Sequence, residues 1–303
     1  MRAGRRSLLP AGLLLAGCAA AGPPLPPNDP APPPPVSAPP AVVRPQEPVR
    51  PRSLSFQGAI TQGGLVLGQA PGDAVAVTLD GRPVAMDANR RFVIGFGRDD
   101  GPTATVAARF ADGATVSQTL TIQKRQWDIQ SIPGLRRRPT SNPDYERIRA
   151  AEVARIVAAR KKRNDSDGWQ QRWLWPATGR ISGVYGSQRI LAGEPSAPHA
   201  GLDIARPPGT PVATPADGVV VLAGGPQFSL EGNLVIIDHG MGVNSAFLHL
   251  SRVDVTEGQR VMRGQTIGAI GATGRVTGPH LHWAVAWGGV RLDPALLMGP
   301  MPE

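Results

Sequence analysis

The stretch His280-Leu281-His282-Trp283-Ala284-Val285-Ala286-Trp287 decides how the second half of this chain is read. Large apolar residues alternate with His, His, Ala, Ala, and a period of two is that of a β-strand. Leu281, Trp283, Val285 and Trp287 then enter a core while both imidazoles point to the opposite face. Ala284 and Ala286 are expected to leave that face open, as the floor of a cleft requires. Upstream, His199-Ala200-Gly201-Leu202-Asp203-Ile204 alternates in the same way, which puts His199 and Asp203 on one face with the side-chain-free Gly201 between them.

Two strands can therefore offer His, Asp, His and His to one space. All five histidines of the chain, His199, His239, His249, His280 and His282, lie after Gln170. Two neutral imidazoles and one carboxylate suit Zn²⁺, and three protein ligands leave a fourth position for water, the pattern of a catalytic zinc. No His-Glu-x-x-His occurs, so proton transfer falls to another imidazole, with His249 and His280 as the spare candidates. His239, in Asp238-His239-Gly240, reads as a structural residue at a turn. Asn233 and Arg189 are candidate substrate-binding residues lining the groove. Trp169, Trp173 and Trp175 read as packing where helix and domain meet.

The motifs from Trp175-Pro176 onward resemble the lysostaphin-type (LytM-like) zinc metallopeptidases, which cut peptides of peptidoglycan. The resemblance runs through Gly179-Arg180-Ile181-Ser182, His199-x-x-x-Asp203, Ala216-Asp217-Gly218, Gly232-Asn233, Ile237-Asp238-His239-Gly240, Phe247-Leu248-His249-Leu250 and Gly271-Ala272-Thr273-Gly274 to His280-Leu281-His282. It implies His199, Asp203 and His282 as ligands of one Zn²⁺ per chain and His249 and His280 as the catalytic pair. It also implies attack of a zinc-activated water on the scissile carbonyl. The expected fold is mainly β: an antiparallel β-sheet metallopeptidase domain over 170–303 with a groove, preceded by a small β-sandwich-like domain and a linker helix. Peptidoglycan stem peptides are the expected substrate, and relatives of this kind cut the D-alanyl–diaminopimelate cross-link. Family members that lost ligands activate cell-wall amidases instead, which makes an amidase or divisome partner the alternative reading.

The upstream text agrees with that organisation. Residues 53–130 are short β-type runs, Ala74–Leu79, Phe92–Phe96, Thr103–Phe110 and Ala114–Ile122. Asp80-Gly81 and Asp112-Gly113 mark hairpin turns. Residues 141–164 read as a basic linker helix, capped by Asn142 with Pro143 in the first turn and an apolar face of Tyr145, Ile148, Val153, Ile156 and Val157. Before these, 1–18 is a basic then apolar leader ending in Leu15-Ala16-Gly17-Cys18, which resembles a bacterial lipobox with Cys18 as the acylated residue. Residues 19–52 form a Pro-rich tether. The implied location is periplasmic, lipid-anchored to the outer membrane of a Gram-negative bacterium.

Composition excludes several rivals. One Cys in 303 residues rules out a disulfide framework or a Cys-based zinc finger. The net charge of +9 does not imply nucleic acid: from Gln170 onward nine Arg face nine acidic residues, 9 − 9 = 0, so the candidate catalytic part is neutral. A biotinyl or lipoyl carrier needs an acceptor lysine, and none of the three lysines, Lys124, Lys161 and Lys162, lies after Gln170.

Overall fold

The computed structural model describes residues 22, 52–133, 142–224 and 227–302. The leader with Cys18 and the tether except for residues 22 and 52 lie outside them. No described helix is long and apolar enough to cross a membrane. The described residues from 52 onward form one compact unit, mainly antiparallel β as the alternating text requires.

Seven strands build its first part: β1 (Ser55–Gly58), β2 (Leu65–Gln69), β3 (Ala74–Leu79), β4 (Arg82–Val84), β5 (Arg91–Gly95), β6 (Thr103–Phe110) and β7 (Thr115–Thr121). They form two sheets, β1-β2-β5 and β4-β3-β6-β7, closed over a core of Val66, Phe92, Ile94, Phe96, Val106 and Phe110. The Asp80-Gly81 turn joins β3 to β4 with φ of 48° and 77° at its two central residues. Both lie in the left-handed region a two-residue hairpin needs, which Asp and Gly tolerate.

A short strand, β8 (Ile129–Ile132), leads to the helix α1 (Pro143–Lys161). Asn142 Oδ1 accepts the Asp144 N–H, and Arg160 and Lys161 occupy the last turn. The expected apolar face of α1 is not the buried one. Ile148, Val153 and Val157 are 49%, 43% and 43% exposed, while Glu152 and Ala159 are buried and Arg149, Ile156 and Arg160 partly so. The five apolar residues spread over half the helix circumference, so they make no single stripe. Polar anchors dock the helix instead: Arg149 forks onto Glu231 with two 2.6 Å bonds, and Glu152 accepts from the Ser229 N–H and hydroxyl at 2.6 Å each.

The second part holds β9 (Arg180–Gly183), β10 (Gln188–Leu191), β11 (Glu194–Pro195), β12 (Leu202–Ala205), β13 (Pro211–Ala213), β14 (Gly218–Leu222), β15 (Asn233–Asp238), β16 (Val243–Val253), β17 (Arg260–Val261), β18 (Thr266–Ile270), β19 (Leu281–Trp287) and β20 (Val290–Leu292). Ten of them make one sheet along the path β17-β14-β15-β16-β19-β12-β9, with β13, β18 and β20 attached. Leu281, Trp283 and Val285 are fully buried in its main core, as their alternation demands. The opposite face is not open at Ala284 and Ala286. These are 3% and 0% exposed, and Ala284 packs with Ala159 of α1, Leu234, Ile236 and Ala246. The alanines are small because a helix lies over this part of the face. Only the end of the face that carries His282 remains accessible.

Candidate metal centre

Strands β12 and β19 pair antiparallel with Asp203 directly opposite His282. Cross-strand partners share a face, so the carboxylate and the imidazole meet. His199 reaches them from the loop before β12. His199 Nε2, Asp203 Oδ1 and His282 Nδ1 form a triangle with edges of 3.1, 3.0 and 2.8 Å. Three ligand atoms at 2.0–2.1 Å from a tetrahedral metal ion stand about 3.3 Å apart, close to these edges.

The surroundings fit a cation. His199 Nδ1–H donates to the Val184 carbonyl at 3.0 Å, which leaves Nε2 as a lone pair facing a carboxylate oxygen. Two acceptors at that separation repel unless a positive charge lies between them. Burial disfavours the charged His199, yet the hydrogen bond and charge of Asp203 raise its pKa overall. Burial likewise opposes ionisation of Asp203, but the adjoining rings of His199 and His282 favour the charged carboxylate and hold it well below the usual range. Space is reserved as well. A Cβ on Gly183 would stand 2.3 Å from Asp203 Oδ2, and one on Gly201 would stand 2.8 Å from His282 Nε2.

His249 and His280 border this triangle. Their ring centroids are 4.9 Å apart, His249 is 6.2 Å from the His282 ring, and His280 Nε2 is 3.9 Å from Asp203 Oδ1. Each Nδ1–H donates to a backbone carbonyl, Thr273 O at 2.9 Å and Gly278 O at 2.8 Å, so each Nε2 is a free acceptor. Burial pushes His249 down to about 4, so it is neutral at neutral pH. Its placement departs from alternation. Phe247 and Leu250 both enter the core, so Leu248 and His249 share the other side, a bulge that turns the imidazole toward the site. The pairing of β16 shifts register there, with Asn233 opposite Leu250 and Val235 opposite Phe247. His249 has φ of 63°, a strained value for a residue with a side chain, and its N–H is held by Glu231 O at 2.9 Å.

The remaining candidates fall elsewhere. Asn233 is half-buried, its amide donating to Leu250 O at 2.8 Å. Arg189 is exposed on β10. His239 is fully buried, held by Asp217 O and Ser245 Oγ and packed 4.7 Å from the Trp173 ring, a structural residue. Trp169 and Trp173 are buried and pack the core. A cavity of about 800 Å³ lies among Leu79, Phe96, Arg163 and Trp287, and no histidine lines it.

Sequence reading missed the brace behind His199. Arg98 Nε donates to Gly186 O at 2.9 Å, the Gly186 N–H donates to His199 O at 2.9 Å, and the His199 N–H donates to Ser187 O at 2.8 Å. Trp127 packs edge-on against Tyr185 at 5.7 Å, with Arg98 and Arg125 over its ring. Strand β8 pairs in parallel with β10. The wall beside His199 is thus built partly from residues upstream of α1, and no local pattern signals pairs so distant in sequence.

A β-sheet domain that gathers two imidazoles and a carboxylate on one face, with two more imidazoles beside them, defines a class of protein able to hold one divalent ion. The profile of peptidase family M23 matches residues 197–294. A crystal structure from Pseudomonas aeruginosa assigned to peptidase M23 is 30% identical, with a TM-score of 0.60, over 79% of this chain and 95% of that one. The chain belongs to peptidase family M23. Among curated relatives, the peptidoglycan DD-endopeptidase ShyA of Vibrio cholerae is 46% identical over 114 residues, 37% of this chain and 26% of ShyA. The DD-endopeptidase ShyC of the same organism is 36% identical over 164 residues, 54% of this chain and 34% of ShyC. The chain therefore spans only about a quarter to a third of these relatives' length.

Proposed function

We propose that this protein is a zinc-dependent endopeptidase that hydrolyses peptide cross-links of peptidoglycan in cell-wall remodelling. The observation that carries the reading is the triangle of His199 Nε2, Asp203 Oδ1 and His282 Nδ1, with edges of 2.8–3.1 Å. These three residues would hold the ion. When bound, Zn²⁺ acts as a Lewis acid that polarises a carbonyl and lowers the pKa of water to about 7. His199 is kept in the metal-binding tautomer by Val184 O. His249 and His280 present bare Nε2 atoms beside the triangle. One takes up a proton from the attacking water and the other steadies the oxyanion and returns a proton to the leaving amine. Neutral His249 is suited to accept. Asn233 and Arg189 are proposed to contact the peptide.

The test is digestion of purified sacculi with mass spectrometry of the products. Cleavage of D-alanyl–diaminopimelate cross-links by a protein carrying one zinc per chain, lost together with the zinc in His282→Ala, supports the reading. A zinc-loaded protein that never shortens cross-linked muropeptides, yet stimulates an amidase, would replace it with the regulator. We also propose lipid attachment at Cys18 in the periplasm, facing the outer membrane. Fatty-acid labelling abolished by Cys18→Ala supports this, and an unlabelled protein in the soluble fraction overturns it.

A further inference from the structure

One short turn touches both imidazoles of the expected catalytic pair. Gly271 O accepts the His280 N–H at 3.2 Å, and Thr273 O accepts Nδ1–H of His249 at 2.9 Å. His249 needs that support, because it stands in a bulge at φ 63°, a backbone that persists only where its surroundings impose it. A carbonyl can orient the ring only if it is itself held in place. The Thr273 side chain supplies the hold. Its hydroxyl accepts the Asn233 N–H at 3.0 Å and donates to Leu250 O at 2.9 Å. Asn233 and Leu250 are register partners on β15 and β16, and Leu250 directly follows His249. The hydroxyl therefore ties the turn to the two strands between which the bulge forms. The fit is close on the other side as well. A Cβ on Gly232 would stand 2.3 Å from Thr273 Oγ1, and one on Gly274 would stand 2.4 Å from Gly232 N.

We propose that Thr273 is a positioning residue for His249: its hydroxyl latches the 271–274 turn, so that Thr273 O holds the imidazole proton on Nδ1 and leaves Nε2 bare. The tautomer of a neutral histidine is set by the hydrogen bond its other nitrogen makes. A base must present a lone pair within reach of the proton it takes, and a small misplacement of the ring costs rate steeply. Among the described residues, the Thr273 hydroxyl bonds to Asn233 and Leu250 and to none of His199, Asp203 and His282. The latch thus acts on the imidazole beside the triangle and not on the triangle itself. What the bare nitrogen does rests on the peptidase reading above, whereas which nitrogen carries the proton rests on the geometry alone.

The test uses the full, zinc-loaded chain as wild type, Thr273→Val and Thr273→Ser. Valine removes the hydroxyl at nearly constant volume, and serine keeps it. Heteronuclear NMR spectra of the histidine rings at neutral pH, with His249 assigned from His249→Gln, report which ring nitrogen carries the proton. The wild type should show His249 protonated at Nδ1 alone, Thr273→Val a mixture of both tautomers, and Thr273→Ser the wild-type pattern. With cross-linked muropeptides, Thr273→Val should lose about 10- to 100-fold in kcat with KM unchanged and zinc still bound, and Thr273→Ser should recover most of the loss. A valine variant whose His249 keeps the wild-type tautomer, or a serine variant that restores nothing, overturns the latch and leaves the peptidase reading intact. A tautomer lost in Thr273→Val and regained in Thr273→Ser, in a protein that cleaves nothing, keeps the latch and removes the peptidase reading.

Discussion

Gly201 shows how tightly single residues are constrained around the candidate centre. An added methyl would stand 2.5 Å from Trp283 O and 2.8 Å from His282 Nε2. Gly201→Ala is expected to lower zinc affinity about 10- to 100-fold, the range for residues that orient a ligand. Competition with a chromophoric chelator measures it, and unchanged affinity would contradict the placement. His239 makes a different prediction. Burial pushes it down from 6.5 to about 4, so the unfolded chain binds the extra proton between those values. Its contribution to stability is complete above pH 6.5 and is lost as pH falls toward 4. Between pH 7 and 5 the loss is about 2 kcal/mol, measurable by urea unfolding, and His239→Gln should remove that part of the slope. Alternation was enough to put Asp203 and His282 each on the polar face of its strand, and the pairing of β12 with β19 brings those faces together. It was not enough for His249, which reaches the site through a bulge at positive φ. The only local trace of that bulge is Phe247 and Leu250, two core residues three apart instead of two.

At the scale of elements, the strands of the first part were legible because their signals are local. Ala74–Leu79 and Thr103–Phe110 are β3 and β6 to the residue, closed by Asp-Gly turns. The helix was legible in its ends, which follow from Asn142, Pro143 and the terminal basic residues, but not in its docking. Its contacts depend on Glu231 and Ser229, some 80 residues away, and no periodicity within α1 points to them. Arg149→Ala tests what that docking does. The Arg149–Glu231 pair is largely shielded from water, so its loss should destabilise the fold by roughly 1–3 kcal/mol. It should also speed hydrogen exchange at the His249 amide, which Glu231 O holds. Exchange at the wild-type rate would show that helix and catalytic loop are not coupled. The brace on the other wall gives a parallel expectation. Arg98→Ala frees Gly186 O and should increase the rate of zinc loss to a chelator without displacing His199, Asp203 or His282 as ligands.

Over the whole molecule, a bound ion that the unfolded chain does not hold adds to stability. At a free zinc concentration of 100 times Kd the gain is about 2.7 kcal/mol, which for a unit of this size raises the melting temperature by roughly 5–10 °C. Calorimetry before and after chelation checks this, and an unchanged transition would argue against a site at the triangle. The parallel pairing of β8 with β10 has a further consequence for anyone dissecting the gene. A recombinant fragment beginning near Gln170 would carry every histidine, yet it would strip Ile129–Ile132 from the flank of Gln188–Leu191. The bared backbone of that strand would then be a template for self-association. A minimal version should therefore begin ahead of Arg98, and clumping of shorter ones would report a missing neighbour and not a faulty catalytic half.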